Sequence, residues 1–166
     1  MNILKTFVLF FVFLVCSICN SQEKDIDKII FNYSSAKRIP FNSVKIEIYK
    51  RASGNGAFAF VHSEPGNDDS KWQYSKIDTI YDIKIEKFNN LKKKIAFLEK
   101  IDLEKAYDEG SDGSTCKIEF GAKGRGITYE FWIPKSKTKE RGLDIFVALC
   151  EEILSLVKLD SKKILD

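Results

Sequence analysis

Residues 108–119, DEGSDGSTCKIE, place oxygen-bearing side chains at spacings close to those of a twelve-residue calcium-binding loop. Asp108 stands at position one, Asp112 at five, Gly113 at six and Glu119 at twelve. Calcium takes about six to eight oxygen ligands, and a glycine at position six lets the chain turn around the ion. Position three, however, is Gly110, which has no side-chain oxygen. The alternating TCKIEF that follows reads as a strand, and a strand would carry Glu119 away from Asp108. The pattern therefore predicts an Asp-Gly turn between a helix and a strand. Asp108, Asp112 and Glu119 are the candidate metal ligands.

The sole histidine, His62, precedes Glu64 by two residues in AFAFVHSE. On a strand the two side chains share a face, so Glu64 could orient His62 as a general base. No serine or cysteine stands at a recognisable nucleophile elbow, and a structural role is the expectation for His62. One histidine and scattered cysteines do not supply zinc spacing. GAKGRG, 121–126, has the glycines of a phosphate loop but lies between two strand patterns, which predicts a hairpin turn. Its Lys123 and Arg125, with Lys135, Lys137, Lys139 and Arg141, suggest a basic surface for an anionic lipid headgroup or an acidic protein. Trp72 and Trp132 are candidate binding aromatics: Trp72 adjoins a polar loop, and Trp132 alternates away from Phe131. No cofactor motif is present.

The compartment follows from the first residues. In MNILKTFVLFFVFLVCSICNSQEKD one lysine precedes an uncharged Phe/Val/Leu run, and polar residues return at Ser17. This is the layout of a secretory signal, with cleavage expected after Ser21. The apolar core falls well short of the roughly 20 residues of a membrane span. Cys16 and Cys19 leave open a lipid anchor, though Val15 and Ile18 before them fit that pattern poorly. Of the whole chain's 166 residues, 27 are basic and 24 acidic, for a net charge of +3. Removing 1–21 takes away only Lys5 and leaves +2, too mild a charge to indicate nucleic acid.

Two cysteines remain in residues 22–166. Cys116 shares a strand face with Ile118 and Phe120. Cys150 lies on a helical stripe with Leu143, Phe146, Val147, Ile153 and Val157. Both therefore face the core, where export would favour a disulfide between Cys116 and Cys150, the alternative being two buried thiols.

The elements that must position these groups are legible as changes of period. IDKIIFNYSS, SVKIEIYKR and AFAFVHSE read as strands, the last two forming a hairpin across SGNG. A fourth strand is expected over 79–85. Phe88, Leu91, Ile95 and Leu98 then recur at helical spacing. STCKIEF and GITYEFWIP form a second hairpin, in which Ile127, Tyr129, Phe131 and Ile133 share a face, and LDIFVALCEEILSLVKL closes the chain as a helix. The order β-β-β-β-α-β-β-α predicts a single α+β domain over 22–166, an antiparallel sheet of about six strands with two amphipathic helices on one face. With no convergent catalytic or metal set, the expectation is an exported, non-enzymatic binding domain facing an envelope protein or an anionic surface. The rivals are a small hydrolase or metal-dependent enzyme built on His62 or the 108–112 loop, and a lipid-anchored envelope component.

Overall fold

A computed structural model describes residues 26–36, 40–122 and 124–165; residues 1–21, read above as a leader, the cleavage expected after Ser21, and Lys123 lie outside these. The strands are β1 (Lys28–Ser35), β2 (Ser43–Lys50), β3 (Ala57–Glu64), β4 (Ile77–Ile83), β5 (Ser114–Ala122) and β6 (Arg125–Trp132). They form one antiparallel sheet in the order β4-β3-β2-β1-β5-β6. The α+β architecture is as the periodicities predict. β4 begins and ends two residues earlier than expected, because Ile85 already opens the next helix.

The helices are α1 (Ile85–Ile95), α2 (Leu103–Ala106), α3 (Thr138–Arg141), α4 (Asp144–Leu156) and α5 (Ser161–Leu165). α1 runs into a 3₁₀ segment, Ala96–Lys100, so its stripe of Phe88, Leu91 and Ile95 continues to Leu98, and all four are fully buried. α4 buries Phe146, Leu149, Cys150, Ile153 and Leu154. Beneath the helices the sheet presents Phe31, Tyr33, Val44, Ile46, Ile48, Ala59, Val61, Cys116, Ile118 and Phe120. Each large side chain taken from water here contributes about 1.5–3 kcal/mol, and this one interface holds the core. At the surface Lys94 and Glu152 tie α1 to α4 at 2.5 Å, worth at most about 1 kcal/mol in so exposed a place.

One end of the sheet is fixed differently. Arg141, on α3, is only 5% exposed. Its five N–H donors all go to main-chain carbonyls: Nε and Nη2 to Ala106 at 3.0 and 2.8 Å, Nη2 also to Trp132 at 3.0 Å, and Nη1 to Ile133 and Ser136 at 2.9 and 3.3 Å. This side chain thus joins α2, the end of β6 and the start of α3. It also removes Arg141 from the basic surface that the sequence suggests. The clamp holds Ile133 in a left-handed conformation, φ 36°, unusual for a β-branched residue. Ile133 is therefore turned out of the strand it was expected to extend. Its N–H is retained by Ser114 O at 2.7 Å.

Candidate functional site: the uncovered face of the sheet

Every strand has a second face, and the described helices leave it open. Strand register sets its side chains in rows. Asp82, Phe58, Tyr49 and Lys28 lie in line from β4 to β1, and the row reaches Gly121 and Gly126 on β5 and β6. The next row is Ile80, Phe60, Glu47, Ile30, Glu119 and Thr128, and the third is Asp78, His62, Lys45, Asn32, Lys117 and Glu130.

The first two rows place four large apolar side chains together near the β4 edge. Tyr49 stacks on Phe58 with ring centroids 5.7 Å apart. Phe60 meets both rings edge-on, at 6.2 Å from Tyr49 and 5.2 Å from Phe58. Phe60 is nonetheless 42% exposed and Ile80 beside it 60% exposed. The rings thus support one another without being covered. Burial and the neighbouring Glu47 carboxylate, which accepts a hydrogen bond from Tyr49 at 3.2 Å, raise the Tyr49 pKa.

Charges around the patch neutralise one another. Lys45 pairs with Glu47 at 3.1 Å, Lys28 with Glu119 at 3.6 Å, and Arg51 with Asp82. Arg51 also lies 5.8 Å from the Phe58 ring, and Lys28 lies 6.0 Å from that of Tyr49. The patch is therefore apolar in the middle, with paired charges at its rim.

His62 stands on this open face at the end of β3. Its Nε2 lies 3.5 Å from Glu64, whose other oxygen is 3.8 Å from Lys76. The two side chains come together as expected, in an exposed surface cluster. The loop residues do not converge with Glu119. Glu119 is carried into β5 beside Lys28, while Asp108 accepts from the N–H of Glu109 at 3.0 Å. Among the described residues no group of three or more His, Cys, Asp and Glu is placed to hold a metal ion.

The loop has a different organiser, Trp132. A Cβ on Gly110 would lie 2.3 Å from the indole, and one on Gly113 2.7 Å from its Nε1. The chain crosses the indole at van der Waals distance, which is why positions 110 and 113 have no side chain. Trp132 is therefore half-covered by the loop. Trp72 is also half-buried, packing near Tyr74 with Lys71 5.2 Å over its ring. Its indole N–H is buried and has no partner among the described residues.

Cys116 and Cys150 meet under the sheet as the two stripes predict. They are free thiols, both buried and close enough to interact, so the expected bridge is not formed in this structure. Arg125 is exposed on the β5–β6 hairpin, where Gly121 packs against the Arg125 carbonyl too closely to admit a Cβ.

Comparison with protein-family models and with curated protein sequences gives no match.

The open-face patch is the part of the site that the two tryptophans did not indicate. Its signal was present in β2, where Tyr49 alternates with the core residues Val44, Ile46 and Ile48 and so must point outward. In β3, Ala alternates with Phe, and the small residues face the helices.

Proposed function

We propose that this chain is an exported, non-enzymatic interaction domain that docks an envelope protein through the open face of its sheet. The observation that carries the reading is the cluster of half-buried Tyr49 and Phe58 with exposed Phe60 and Ile80, bordered by charges that pair with one another. Aromatic anchors at the middle of a polar border resemble the anatomy of protein interfaces, in which a few central residues supply most of the affinity. Because the rim charges already pair with one another, the patch favours a partner that offers apolar side chains over one that offers net charge. The setting of His62 and Glu64 supports binding over catalysis: they lie on an open sheet surface, with solvent reaching both side chains.

The leader 1–21 supports export. In an oxidising compartment a disulfide-forming oxidant takes two electrons and the two thiol protons from Cys116 and Cys150, and their juxtaposition turns the strand–helix contact into a covalent S–S staple.

The test is co-purification from the envelope fraction with wild type and with Phe60→Asp. The reading expects a discrete partner with wild type and its loss with Phe60→Asp at unchanged melting temperature. Retention of the partner by Phe60→Asp, Ile80→Lys and their combination would sink it.

A further inference from the structure

At the opposite edge of the sheet, α2 and the chain after it bend around the end of β6 and leave a cavity of about 290 Å³. Its walls are Leu103, Tyr107, Phe131 and Trp132, and its polar groups are Asp108, Glu130 and Thr115. We propose that this cavity binds an alkyl cation: an ammonium or guanidinium group on a short hydrocarbon stem.

The two charged groups in the wall, Asp108 and Glu130, are both carboxylates, and neither forms an ion pair among the described residues. Lys117 stands directly across the strand pair from Glu130 without bridging to it. A second cavity of similar size, about 270 Å³, at the β5–β6 hairpin shows the contrast. There Glu119 is matched by Lys28, and Arg125 is also in the wall, so that cavity carries its own cations. The cavity at the β6 edge carries none.

The apolar walls supply the rest of the chemistry. Aromatic faces attract cations by about 0.5–2 kcal/mol, tryptophan most strongly. Elsewhere on the protein this attraction is used internally, by Lys28 on Tyr49, Arg51 on Phe58, Lys71 on Trp72 and Lys100 on Phe97. Tyr107 and Trp132 have no such cation among the described residues. Leu103 and Tyr107 are 59% and 67% exposed at the mouth, which leaves hydrocarbon surface for a stem. The Tyr107 hydroxyl donates to Glu109, which restrains the ring. The volume suits one side-chain-sized group and is at the lower end of the range for small-molecule pockets.

The experiment uses the protein as producing cells accumulate it, labelled at the tryptophan indole nitrogens, with Trp72→Phe assigning the two signals. Butylguanidinium, its neutral isostere butylurea, and the capped peptide Gly-Arg-Gly are titrated in turn. The Trp132 signal should shift and saturate with butylguanidinium at millimolar concentration, with butylurea at least tenfold weaker. Glu130→Gln should weaken butylguanidinium at least threefold, and Phe60→Asp should leave it unchanged, which separates this site from the patch on the open face. A tighter complex with the peptide assigns the cavity to an arginine presented by a protein; a tighter complex with butylguanidinium assigns it to free solutes. Equal responses to butylguanidinium and butylurea, or no shift of Trp132, would overturn the proposal, as would an unchanged constant in both Glu130→Gln and Asp108→Asn.

Discussion

The thiols of Cys116 and Cys150 lie side by side where β5 meets α4, both with no exposed surface. Burial, with the Cys116 thiol beside it, pushes the Cys150 pKa well above 9.0. The folded chain thus holds a proton that the unfolded chain releases from about pH 8.5–9 upward. The stability this provides is complete below that range and declines as pH rises, by up to about 1.4 kcal/mol per pH unit. Under reducing conditions, denaturant unfolding should show wild type losing more stability between pH 9 and 10.5 than Cys150→Ala does. Parallel curves would contradict the burial of an ionisable thiol.

In oxidised protein the same pair should behave as a staple. Oxidation should raise the melting temperature of wild type and leave Cys150→Ala unchanged. The loop between the two residues corresponds to roughly 3–4 kcal/mol in the chain-entropy model. Full maleimide reaction of both thiols, after unfolding envelope-derived protein without reductant, would show that no bridge forms.

Arg141→Ala should cost about 3–5 kcal/mol, since it orphans buried carbonyls on three segments and frees Ile133 from its strained conformation. Arg141→Lys restores charge without the planar fork and should recover less than half of that loss. Chemical denaturation measures both. A loss under 1 kcal/mol in Arg141→Ala would mean that the carbonyls find water instead.

Gly110→Ala should destabilise by about 1–3 kcal/mol, because the added methyl enters the Trp132 indole. In a Trp132→Leu background the same substitution should cost less, and the double-mutant cycle reads the coupling. Additive effects would place the loop away from the indole.

Much of this architecture was legible as period. The stripe Phe88, Leu91, Ile95 and Leu98 and the alternation of Val44, Ile46 and Ile48 each state which side is buried, because only one side is apolar. β3 is harder to read, since both of its faces are apolar. Its orientation is decided by the helices, which need Ala57 and Ala59 beneath them and leave Phe58 and Phe60 outside. The loop at 108–113 resembles an ion site in one dimension; only the position of Trp132 explains Gly110. Arg141 reads as one more charge in a basic loop, because carbonyls that converge from residues 106, 132, 133 and 136 leave no local pattern.

The central claim is that Tyr49, Phe58, Phe60 and Ile80 form the surface on which a partner sits. The most direct measurement is photo-crosslinking in intact producing cells, with benzoylphenylalanine placed singly at Phe60, at Ile80 and, as a control on the exposed side of α1, at Lys93. The account predicts one discrete adduct shared by positions 60 and 80 and none from position 93. No adduct from either sheet position, or the same adduct from position 93, would contradict it.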